Sequence, residues 1–159
     1  MLSELNRDNE ALQLVNNIEH LLLEITELEK QKKESHKILE SINNDVPPDV
    51  DTLDSLNLRY LDGYALRARV LGLLTVAQNK LSEIRSDLRI DLNILENIST
   101  CPCCGGSGEK ISHRYVRFDQ KIDVVVSSKP CEHCNGSGRI ELGNTVNRII
   151  EKAKKEINS

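Results

Sequence analysis

Eight residues occur twice in this chain with the same internal spacing. Cys101-Pro102-Cys103-Cys104-Gly105-Gly106-Ser107-Gly108 and Cys131-Glu132-His133-Cys134-Asn135-Gly136-Ser137-Gly138 both read C-x-x-C-x-G-x-G. Two such pairs gather four sulfurs, the tetrahedral thiolate set that Zn²⁺ favours in closed sites. The chain must turn back sharply after the second Cys of each pair. Glycine reaches positive φ there without steric cost, so Gly106, Gly108, Gly136 and Gly138 are expected as turn residues. Backbone amides in such turns can also point at the sulfurs.

The repeat register selects Cys101, Cys104, Cys131 and Cys134 as ligands of one Zn²⁺. Two other residues compete with them. Cys103 offers a C-x-C chelate with Cys101, and His133 offers a Cys₃His set. The two occupy matching third positions of the octets, which reads both as non-ligands. Metal is preferred over disulfides because all five Cys fall between Cys101 and Cys134 in paired spacing, whereas secreted disulfide scaffolds scatter theirs. A closed four-thiolate set leaves no open position for water, which argues against hydrolytic zinc chemistry. Thiol–disulfide exchange by the C-x-x-C pairs is the redox alternative. The glycine turns fit metal holding better.

The octet resembles the cysteine-rich zinc module of DnaJ-type co-chaperones, in which C-x-x-C-x-G-x-G recurs. That module carries four repeats and two zinc ions, so two repeats imply one ion. No His-Pro-Asp tripeptide of a J domain occurs in this chain. The resemblance implies a metal-bound module that contacts other proteins, either non-native clients or a chaperone.

The rest of the chain reads as helix. Residues 3–43 contain neither Gly nor Pro, and Ala11, Leu14, Ile18, Leu21, Ile25, Leu28, Leu39 and Ile42 follow the three-four alternation of a coiled-coil seam. Lys32 and Ser35 occupy the two seam positions left over and weaken the packing there. A second stripe of Leu5, Leu12, Val15 and Leu22 widens the apolar face. Forty helical residues make a rod of about 60 Å. Pro47-Pro48 ends it, and Asp51 or Thr52 is the expected N-cap of the next helix.

That second helix is expected over 53–98, with Val70, Leu74, Ala77, Leu81, Ile84, Leu88, Leu92 and Leu95 as its stripe. Gly63 and Gly72 weaken its front part, at about 1 kcal/mol each. Tyr60, Leu61 and Tyr64 are expected on the tip or against a partner. Two helices of matching length joined by a short break fold back as an antiparallel hairpin.

Between the octets, Ile111–Val126 turns strand-like around Asp119-Gln120-Lys121 and reads as a β-hairpin. Phe118 and the β-branched run are expected to form its small core. Val146, Ile149, Ile150, Ala153 and Ile157 give residues 144–159 one apolar face. A helix this short needs a partner, expected at the hairpin base near Leu5 and Leu12, with a homo-oligomer interface as the competing account. The predicted fold class is mostly α. It comprises a coiled-coil hairpin (1–98, tip about 43–52), a Cys₄ zinc module with a β-hairpin (99–141) and a C-terminal helix (142–159).

Composition narrows the function. One Phe, three Tyr and no Trp are too few aromatics for a large globular core. A net charge of −4 argues against nucleic acid as the main ligand. In the zinc module, Lys110, His113, Arg114, Arg117, Lys121, Lys129 and Arg139 are nearly balanced by Asp119, Asp123, Glu132 and Glu141. No stretch approaches the ~20 apolar residues of a membrane span. Met1-Leu2-Ser3-Glu4 lacks the basic and apolar parts of a signal peptide, so a cytoplasmic setting is expected. No nucleophile–base set, phosphate loop or carboxylate pair points to an enzyme, and His20 and His36 read as helix-surface residues.

Asp45, Asp49, Asp51 and Asp54 cluster at the expected tip. Hairpin, acidic tip, Cys₄ module and C-terminal helix, in that order, resemble the layout of DksA-type transcription factors. This resemblance implies contact with RNA polymerase through the tip aspartates. The leading expectation is a non-enzymatic zinc-binding coiled-coil protein that acts as a protein-interaction module or chaperone-like adaptor. The alternative is an RNA polymerase-binding regulator.

Overall fold

The computed structural model describes residues 2–119 and 121–159, without the side chains of residues 2–7 and of Phe118. Helix α1 spans Leu2–Asn43, a short α2 spans Val50–Ser55, and α3 spans Gly63–Ile98. Strands β1 (Glu109–Phe118) and β2 (Lys121–Pro130) follow, and α4 (Asn144–Ile157) closes the chain. The fold is mostly helical, with α1 and α3 packed together as the expected hairpin.

Apolar periodicity explains the pairing. Every residue of the α3 stripe from Val70 to Leu95 is buried, joined by Leu66. On α1, Ala11, Leu14, Ile18, Ile25 and Leu28 are buried, and Val15 and Leu22 of the second stripe join them. The core is divided in two. One cluster runs from Ala11 to Leu28 against Ala77–Leu95, and the other joins Ile38, Leu58, Leu66 and Val70 near the tip. The division falls where α1 carries Lys32 and Ser35. Ser35 is nonetheless buried, a polar residue in the seam.

The tip is larger than the double proline suggested. The second long helix begins at Gly63 rather than residue 53, because residues 56–62 leave the helical path. Asn57 takes φ +54, and the Leu58 N–H donates to the Leu53 carbonyl (2.8 Å) while Asn57 N–H donates to Asp54 (3.1 Å). That Schellman-type ending turns Leu58 inward, where it is buried. Asp45 ends α1 the same way. It has φ +54, with Val46 N–H donating to the Ser41 carbonyl (2.9 Å) and Asp45 N–H to Ile42 (3.3 Å).

The N-cap of α2 is Asp49 rather than Asp51 or Thr52. Its carboxylate accepts from the Thr52 N–H (3.1 Å) and hydroxyl (2.8 Å). The Thr52 hydroxyl, then its N–H, holds that carboxyl below the usual carboxylate value. Leu61 packs under the tip, while Tyr60 and Tyr64 are 96% and 87% exposed.

Helix α4 packs on both α1 and α3. Ala153 is fully buried, with Val146, Ile149, Ile150 and Ile157 beside it. Its contacts include Glu96 in the last turn of α3, at the base of the hairpin, but Leu12 is not covered. Leu12 is 60% exposed, and Leu5 lies outside the described side chains. Asn147 and Ile150 lie beside Glu96 and Ser99 at the end of α3, and Arg148 and Ile149 flank Glu19, Leu22 and Leu23 of α1. Lys154 pairs with Glu96 on α3 at 2.8 Å, and Arg85 reaches both Glu29 (3.2 Å) and Glu156 (4.0 Å). Leu22 therefore explains part of the widened face, since the third helix lies over it.

Strands β1 and β2 pair antiparallel from Glu109–Pro130 to Phe118–Lys121, leaving a two-residue turn that begins with Asp119 at φ +40. Among the described residues this ribbon packs against no helix. Among the described residues the expected β-branched core does not form, and only Val116 is partly buried. Ile111, Tyr115, Ile122, Val124, Val125 and Val126 are all half-exposed or more, and the Phe118 side chain lies outside the description. A two-stranded ribbon has no second layer against which to bury either face.

Candidate metal centre

Each octet builds one knuckle, and the two knuckles face each other with near two-fold symmetry. Cys101 N–H donates to the Gly138 carbonyl (2.9 Å), and Cys131 N–H donates to the Gly108 carbonyl (2.8 Å). A Cβ at Gly108 would overlap the Gly136 carbonyl oxygen, and one at Gly138 would overlap that of Gly106. All four expected turn glycines have positive φ. Gly108 and Gly138 therefore serve two ends, the turn and the close approach of the knuckles.

The arrangement converges the sulfurs. Cys101 and Cys131 Sγ lie 4.0 Å apart, and Cys104 and Cys134 Sγ 3.7 Å apart. All four sulfurs fall within 4.8 Å of one another. Sulfurs placed about 2.3 Å from a central ion form a tetrahedron with edges of about 3.8 Å, so the donor set fits Zn²⁺ in size and chemistry. Four free cysteines in this array can hold a metal ion such as zinc.

Gly138 N–H donates to Cys134 Sγ at 3.2 Å, as the turn chemistry predicts. Burial pushes the Cys101 thiol up to about 11, more than the N–H groups of Cys104 and Cys103 offset. Burial acts on Cys104 in the same direction. There it is outweighed by the N–H groups of Gly108 and Gly106 and by the thiols of Cys101 and Cys134, which bring it down to about 6. Cys101 and Cys104 thus hold their protons unequally. A divalent cation is the partner that lets all four sulfurs ionise together.

Cys101, Cys131 and Cys134 are buried and Cys104 half-buried, and these sulfurs form a cluster of their own. They are the module's core.

Several supporting residues were not legible as functional. Ser107 and Ser137 recur at the same octet position, and each locks its turn. Their hydroxyls donate to the Cys104 and Cys134 carbonyls (2.8 and 2.7 Å) and accept from the N–H groups of Glu109 and Arg139 (3.2 Å each). Their recurrence was the available signal. Asn135 takes φ +50 where the first octet has Gly105 at φ +58, a position Asn tolerates. The module is fastened to the rod by the Ile140 N–H donating to the Ser99 carbonyl (2.7 Å), a bridge between Thr100 and Arg139, and Arg139 4.0 Å from Glu96.

The tip aspartates are not part of this centre. A helix of 36 residues separates them from it, about 54 Å of rise. They are also engaged locally. Asp45 terminates α1, Asp49 caps α2, and Asp54 pairs with Arg59 at 3.3 Å, while Asp51 is exposed in the first turn of α2.

A scan against protein-family models found no match, and comparisons with curated proteins and with solved structures found none either.

Proposed function

We propose that this chain is a zinc-stabilised, non-enzymatic interaction protein that binds another protein through its β-ribbon. The observation that carries the reading is the ribbon face itself. Ile111, Tyr115, Ile122, Val124 and Val126 alternate onto one side of the sheet, each at least half exposed, and none of the helices covers them. A contiguous apolar patch on a rigid support is the usual mark of a protein contact. The ion supplies the support, because the module buries little besides its cysteines. The resemblance to DnaJ-type zinc modules favours a non-native chain or a chaperone as the partner, in a cytoplasmic setting.

The test is suppression of aggregation of a denatured client by the zinc-loaded chain. Replacing the facing pair with Tyr115→Ser and Val124→Ser should abolish the effect while zinc content and helicity stay unchanged. Full activity in that variant sinks the proposal.

A second reading rests on the other end. Tyr60 and Tyr64 stand exposed in the tip segment that also carries the exposed Asp51, and exposed aromatics suit insertion into a partner. Together with the DksA-like layout this supports contact with RNA polymerase. A transcription assay comparing wild type with Tyr60→Ala and Asp51→Asn decides it, with no change counting against.

A further inference from the structure

The third position of each octet holds a metal-binding residue that the four-thiolate centre does not use. Cys103 and His133 are equivalent under the two-fold relation of the knuckles, and both are exposed. The Cys103 sulfur, a ring nitrogen of His133 and the Cys101 sulfur all lie within 4.8 Å of one another. Because Cys101 is buried and belongs to the inner set as well, the two donor sets share one sulfur.

We propose that Cys103, His133 and Cys101 form a second, solvent-facing site for a thiophilic divalent cation, with the Cys101 thiolate bridging the two ions. The proposal rests on the inner centre being metal-loaded. Three properties point the same way. A thiolate bound to one ion keeps lone pairs free for another. A divalent ion among four thiolates leaves the inner centre formally dianionic, so a second cation beside it is attracted rather than repelled. Sulfur and imidazole donors together select zinc-like ions over magnesium or calcium. The outer set has three protein donors and faces water, which completes its coordination. It is therefore an open and exchangeable site, in contrast to the closed inner one.

The experiment starts from the full chain loaded with zinc and dialyses it against rising free Zn²⁺, counting metal per chain. Wild type should take up a second equivalent, more weakly held than the first. Cys103→Ser and His133→Ala should each lose that second equivalent, keep the first, and keep the ribbon's circular dichroism. His20→Ala, on the surface of the rod, should retain both and so exclude adventitious histidine binding.

Uptake that stops at a single equivalent in wild type overturns the proposal, as does a second equivalent that survives in either variant. Loss of all metal from either variant also overturns it, and additionally places the only ion on the outer set. Absence of any metal in wild type overturns it too, but by removing the inner centre, an outcome distinct from the others.

Discussion

At the scale of single residues, the glycines of the knuckles differ in what they tolerate. Gly138 combines φ +74 with a facing carbonyl where a Cβ would have to sit. Gly138→Ala should therefore destabilise the metal-bound module by at least about 2 kcal/mol, through backbone strain and overpacking together. Gly105 has open space around it and Asn at the matching position of the other octet, so Gly105→Asn should be nearly silent. Chelator competition for zinc measured on both variants checks the contrast. At the tip, Asp45 occupies a left-handed helix-ending position that favours Gly. Asp45→Gly should raise thermal stability by about 0.5–1 kcal/mol, readable in a melting curve. Cys101, Cys104, Cys131 and Cys134 were legible because spacing alone specifies a knuckle. Ser107 and Ser137 were not, because one hydroxyl between two glycines looks like ordinary turn composition.

At the scale of elements, the seam of α1 and α3 could be read nearly residue by residue, since the three-four alternation is itself the packing rule. What could not be read was where α4 lies. Its apolar face was plain, but two stretches of α1 offered a partner, and the choice of Leu22 over Leu12 depends on where the module releases the chain. The tip helix was misread for a related reason. Leu58 is drawn under Ile38 and Val70 by a tertiary contact, and Asn57 permits the turn. One polar contact makes the docking of α4 sensitive to acid. The Lys154 ammonium beside Glu96 holds that carboxyl below its ordinary 4.5. A lowered carboxyl contributes stability above 4.5 and loses it as pH falls through the folded-state value. The pair is partly exposed, so the effect should be about 0.5 kcal/mol or less. Thermal melts of wild type and Glu96→Gln should differ at pH 6 and converge near pH 3.

At the scale of the molecule, two different devices hold the parts together. The rod relies on a long apolar seam, whereas the module relies on its sulfurs. Chelation should therefore melt the ribbon and leave most of the helical signal, which far-ultraviolet circular dichroism with and without a zinc chelator can separate. Loss of all helicity on chelation would show that the rod cannot stand without the module. Lowering the pH should weaken metal binding for the same centre, because protons compete for the thiolates and Cys101, drawn up to about 11 by burial, holds its proton firmly.

The bond from Ile140 to Ser99 has a wider effect than fastening the module. With the knuckles closed, α4 leaves from beside the end of α3 on a leash of a few residues. With them open, the same helix would hang on a floppy tether of the 45 residues 99–143, and each doubling of tether length costs about 0.6 kcal/mol in ring closure. Ion occupancy and the third-helix association are consequently one linked equilibrium. Stripping the metal should free the C-terminal segment to wander.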